Sequence, residues 1–95
     1  MVQINWTRQS VNDLKNIYRF IAGDSEHYAK LYIDKIRNKV KIIKDFPEIG
    51  REVPEIKQNN IREIILDNYR IIYKIIDKSR IDILTVHHSA KEFNV

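Results

Sequence analysis

Two long helical patterns follow one another with almost nothing between them, and this constrains the fold more than any other feature. From Arg8 to Ala22 the apolar residues Val11, Leu14, Ile17, Tyr18 and Ile21 recur at three- and four-residue steps. From about Glu26 to Asp45, Ala29, Ile33, Ile36, Val40 and Ile43 do the same. Only Gly23, Asp24 and Ser25 separate the two runs. Helices joined so tightly fold back as an antiparallel hairpin. Thr7 is placed to cap the first helix, and Asp24 or Ser25 the second. Gly23 is expected to take the left-handed conformation that ends a helix, and Pro47 stops the second one.

The hairpin needs a surface to cover. Val2, Ile4 and Trp6 alternate with polar residues ahead of it, the period of a half-buried strand. After it come three runs rich in β-branched and aromatic residues, at 61–66, 69–76 and 81–88. Asp67-Asn68 and Asp77-Lys78-Ser79 provide the turns between them, and 89–95 forms a tail. Residues 46–60 hold both prolines and Gly50, with room for a short strand near 51–53. The expected fold is α+β: an N-terminal strand, a helical hairpin, then a three-stranded antiparallel meander. The helices cover one face of the sheet, and the other is left for solvent or a partner.

Ninety-five residues allow one small domain, and residues 1–95 are read as such. No apolar run reaches the roughly 20 residues of a membrane span, and no signal-peptide layout is present, so a soluble cytoplasmic protein is expected. The absence of cysteine excludes disulfides, thiolate metal sites and cysteine nucleophiles. The glycines are isolated, so there is no phosphate loop. Adjacent His87 and His88 on a strand cannot chelate one metal, and no metal or cofactor is expected. The net charge of +4 permits nucleic-acid binding without requiring it. Much of the surplus lies on one stretch, where Lys30, Lys35, Arg37, Lys39, Lys41 and Lys44 face a single acid, Asp34.

The meander carries the informative polar residues. Arg62, Arg70 and Lys74 sit among isoleucines and tyrosines. If Asp67 and Asn68 alone form the turn, Arg62 lies opposite Tyr73 and the two arginines face opposite sides. A three-residue loop would put them on the same face, and the sequence leaves both registers open.

Taken in order, Gly50-Arg51, Val53-Pro54-Glu55, Arg62-Glu63, Tyr69-Arg70, Tyr73 and His88-Ser89-Ala90 resemble the RelE/ParE superfamily of toxins from type II toxin–antitoxin pairs. The resemblance spans nearly the whole chain. It implies a small α/β toxin neutralised by a cognate antitoxin, touching DNA only through the antitoxin complex. Two mechanisms occur in the superfamily. RelE-like members cut mRNA on the ribosome, where the 2′-hydroxyl attacks the adjacent phosphate and cationic side chains stabilise the transition state. ParE-like members poison DNA gyrase and need no catalytic residues.

Arg70 matches the arginine of the family's Tyr-Arg strand. Arg62 stands where RelE-like toxins place a catalytic lysine, and Ile64 is apolar where a second is expected. The terminal arginine of RelE-like toxins falls near Ser89 or Lys91, and no tyrosine follows Tyr73. An RNA-cutting enzyme here would rely on Arg62, Arg70, Lys91 and His87 or His88. The thinned cationic set favours a ParE-like gyrase inhibitor, with Arg51, Arg62, Arg70 and Lys74 as target-binding residues. The alternatives are a ribosome-dependent endonuclease or an inactive antitoxin-binding relative. Tyr18, Tyr28 and Tyr32, with Trp6, are expected at the antitoxin surface or in the core beneath it. The antitoxin is expected to be acidic and to present a helix or extended segment.

Overall fold

The computed structural model describes residues 2–91. Its elements are β1 (Gln3–Trp6), α1 (Arg8–Ala22), α2 (Glu26–Asp45), β2 (Arg51–Glu52), β3 (Ile61–Leu66), β4 (Tyr69–Asp77) and β5 (Arg80–His88). Of the expected tail, residues 92–95 lie outside the described residues.

Both helix starts follow from their caps. Thr7 Oγ1 accepts from Ser10 N at 3.2 Å and donates to the Ile83 carbonyl at 2.6 Å, so one hydroxyl caps α1 and ties it to β5. Ser25, rather than Asp24, caps α2, its Oγ accepting from Tyr28 N at 3.1 Å. The expectation for Gly23 is corrected: it keeps right-handed helical angles, φ −56° and ψ −32°. The reversal falls two residues later, at extended Ser25 with φ −160°. Amides of Gly23, Asp24 and Ser25 bond back to Arg19 and Ile21 carbonyls, so the last turn is closed without a left-handed residue.

The five strands order as β1-β5-β4-β3-β2. The meander β3–β5 is antiparallel, as is β2 against β3, but β1 pairs parallel with β5, making the sheet mixed. The parallel pair β1 and β5 is joined by far more chain than such pairing requires: the helical hairpin carries the chain to β2 at the opposite edge, and β3 and β4 bring it back. Ile36, Val40 and Ile43 of α2 and Ile17 of α1 pack onto Leu66, Ile71, Tyr73, Ile81, Ile83 and Val86. This is the main core, on the helix face.

The opposite face is not simply left open, which corrects the expectation. Val53 and Ile56, from the connection after β2, pack on Ile61, Ile72 and Leu84 to form a second, smaller core. Val53 and Ile72 are fully buried there. Strands apolar on both faces need cover on both, and the connection at 53–60 supplies it like a strap.

Candidate functional site: two separated arginines and the end of the sheet

The hairpin between β3 and β4 decides where the polar residues go. Its turn is only Asp67-Asn68, with Leu66 opposite Tyr69. Asp67 takes a left-handed φ of 53°, which a short polar side chain tolerates. Its carboxylate is held from α2 by Tyr32 Oη and Lys35 Nζ, each at 3.0 Å. Those contacts, Lys35 foremost, keep the Asp67 carboxyl below its usual range. In this register Arg62 pairs with Tyr73 on the helix side, while Arg70 pairs with Ile65 on the strap side. The two arginines are therefore on opposite faces.

Arg70 sits in a neutral cluster. Its Nη1 and Nη2 fork onto the Glu55 carboxylate at 2.7 Å each, and its Nε donates to Glu63 Oε1 at 2.7 Å. Arg51 Nε reaches the other Glu63 oxygen at 2.6 Å. The Glu63 side chain is wholly buried and that of Arg70 is 12% exposed. A buried carboxylate is tolerated only when paired and hydrogen-bonded, and both arginines serve that need. The Arg70 hydrogen bond holds the Glu55 carboxyl down at about 2. Reciprocally, Glu55 first and Glu63 next hold the Arg70 guanidinium above its ordinary range.

Arg62 is engaged differently. It donates to the carbonyls of Gly50 at 2.8 Å and Glu48 at 3.4 Å, and to the carbonyl and Oδ1 of Asn59 at 3.1 and 2.8 Å. It thus clasps both ends of the 46–60 connection. Beside it, buried Tyr73 donates to the Pro47 carbonyl at 2.6 Å and accepts from Gly50 N at 3.0 Å. A Cβ on Gly50 would lie 2.6 Å from that hydroxyl and 2.7 Å from the Glu63 carbonyl, so only glycine fits. Lys74 stands apart, opposite Asp82 of β5, whose carboxylate accepts from Arg80 Nε at 2.8 Å.

A second set of polar groups gathers where β5 ends. His87 lies opposite Arg70 on the strap side, its Nε2 2.9 Å from the Lys91 carbonyl. His88 lies on the helix side, accepting at Nδ1 from Ala90 N and meeting Tyr69 edge-on at 5.2 Å. Tyr69 in turn leans on Tyr32 at 5.9 Å. A groove of about 550 Å³ runs past Asn16, Phe20, Tyr69, His88 and Lys91. Phe20, 81% exposed, is its most conspicuous wall and was not singled out from sequence. The available signal was an aromatic standing off the apolar stripe of α1. Asp13 was missed too: its carboxylate accepts from Thr85 Oγ1 and Val86 N, binding α1 to β5.

The three tyrosines do not share a surface role. Tyr32 is committed to Asp67, and burial followed by that hydrogen bond raises its phenol well above the usual range. Tyr18 lines a groove of about 410 Å³ with Trp6, Val11, Leu14, Ile33 and Arg37. Tyr28 is 65% exposed on α2. Among the described residues, no three of His, Asp or Glu come together to hold a metal ion. No helix among them is long and apolar enough to cross a membrane.

This architecture has a counterpart among solved structures. A chain described as "Chromosomal ParDE TA system from P. aeruginosa" superposes with a TM-score of 0.74, covering 93% of this chain and 96% of that one. At 21% identity that likeness speaks for the fold alone. No curated protein gives a significant sequence match. The sequence itself is matched over residues 4–93 by the family model described as "ParE toxin of type II toxin-antitoxin system, parDE". With nearly the whole chain inside that match and the strand–hairpin–meander fold beneath it, the chain belongs to the ParE toxin family of type II toxin–antitoxin systems.

Proposed function

We propose that the chain arrests growth by binding DNA gyrase in the cytoplasm rather than by cutting RNA, and that a cognate antitoxin neutralises it. The observation that carries this reading is the pairing of the arginines. Cleavage of RNA needs cations directed at a pentavalent phosphate. Here Arg70 faces Glu55 and Glu63, Arg62 is bonded to backbone carbonyls, and the sheet separates them. Arg51, with a 64% exposed side chain, and Lys74 then contact the target directly. Arg62 and Arg70 act through the connection they hold. The antitoxin lies along the grooves flanking α1, against Tyr18 on one side and Phe20 on the other, with Tyr28 exposed nearby.

The test is to induce the gene without its antitoxin and follow DNA and protein synthesis together by pulse labelling. Replication stopping first, with purified protein inhibiting gyrase supercoiling, supports the proposal. Immediate arrest of translation with codon-phased mRNA cleavage on ribosomes overturns it. The strand-end groove, with His88 and Lys91, would then be the place to look for proton transfer. No effect on either synthesis would favour a relative that only binds its antitoxin.

A further inference from the structure

Where α2 ends, the molecule has a surface that the toxin reading does not use. Phe46 and Ile49 flank Pro47 and stand 64% and 54% exposed. With Val2 and Ile75 they line a groove of about 830 Å³. Large apolar side chains left exposed side by side, rather than scattered singly, mark a contact surface.

The rim of this groove is acidic. Asp45, Glu48 and Asp77 border it, against one cation, Lys78. Neither the Asp45 nor the Glu48 carboxylate makes a hydrogen bond or ion pair among the described residues. Asp77 engages Ser79 through Oδ1, at 2.7 Å to its amide and to its hydroxyl. Asp45 is the last residue of α2, where the negative end of the helix dipole disfavours a carboxylate. This carboxylate stands at the unfavourable helix end and no hydrogen bond or ion pair within the described residues holds it there. Its charge is available to something outside.

The chemistry narrows what that is. Carboxylates around an apolar floor repel nucleic acid, phosphate and anionic lipid headgroups, and attract cations attached to apolar groups. We infer that the Phe46–Ile49 groove docks a basic amphipathic segment of a partner protein, whose apolar side chains enter between Phe46, Ile49 and Ile75 while lysines or arginines meet Asp45, Glu48 and Asp77. This surface is distinct from the grooves flanking α1, so its occupation is independent of the gyrase reading.

The probe is a synthetic 18-residue leucine–lysine amphipathic peptide, with a leucine–glutamate peptide of equal length as control. Titrated into isotopically labelled protein, the leucine–lysine peptide should shift resonances centred on Val2, Phe46, Ile49 and Ile75, and the control should not. Asp45→Lys with Glu48→Lys should weaken binding by about tenfold or more, and raised salt should weaken it further. Phe46→Ser, at an exposed position that leaves the fold intact, should weaken it comparably. Equal binding of the acidic peptide, or shifts centred elsewhere, overturns the inference. Sedimentation of the protein alone checks the remaining occupant. The basic face of α2 carries exposed Leu31. Self-association abolished by Phe46→Ser would assign the groove to a second copy and overturn the partner.

Discussion

The two faces of the sheet are held by different physics. On the helix face, ten buried residues interlock across α1, α2 and three strands, and each is supported by several others. On the strap face there are three buried residues: Val53 packs down on Ile61 and Ile72 from a segment held by a four-member ionic cluster. The apolar face is redundant in its contacts. The polar face rests on single groups, because a buried charge is stable only while its specific partner is present. Arg70, expected from the sequence as a target-binding residue, is bonded in this geometry to Glu55 of the strap and Glu63 beneath it.

Substitutions can break that contrast in decreasing order of effect. Ile36→Ala, at a fully buried position, should cost about 2–5 kcal/mol in urea denaturation, with an unchanged slope. Arg70→Met should cost about 3 kcal/mol by leaving buried Glu63 with only exposed Arg51. Adding Glu63→Leu should recover most of that loss, since the uncompensated charge is then gone. If the double variant is no better than the single, the cluster is not the reason Arg70 matters.

Tyr73→Phe should cost about 2 kcal/mol, because Gly50 N and the Pro47 carbonyl lose their shared partner in a buried site. The strap should also be acid-sensitive on its own. Glu55 has a folded value of about 2 against an ordinary 4.5, so its contribution is complete above 4.5. It is lost as pH falls through about 2. Amide exchange at 53–60 should accelerate across that window relative to β4 and β5, and uniform acceleration would refute a local latch. Smallest of all is Lys35→Ala, which removes an exposed pair with Asp67 and should leave the denaturation midpoint unchanged within error.

Much of the fold was legible because it is written locally. The stripes of α1 and α2, the Thr7 cap and the place of the turn at Asp67-Asn68, though not its register, all act over a few residues. Both helices span the residues their periodicity predicts. Gly23 was misread because a glycine after a helix suggests a left-handed end, while the short link is reversed by Ser25 instead. The candidate site was less legible. Arg62 and Arg70 are visible as charges inside apolar strands, but their partners Glu48, Gly50, Asn59 and Glu55 lie on a connection without periodicity. Phe20 was passed over because it falls off the stripe that identifies the helix.

By itself, the sequence determined the two helices with their boundaries, the three meander strands to within a residue, the helical hairpin and the family, since each depends on nearby residues or on a pattern along the chain. Tertiary structure decided that β1 runs parallel to β5, that the strap closes over Ile61 and Ile72, and that the two arginines part. The physical reason is pairing. A strand's neighbour and a charge's partner are chosen by residues far away in the chain, and a single step of register exchanges one face of the sheet for the other.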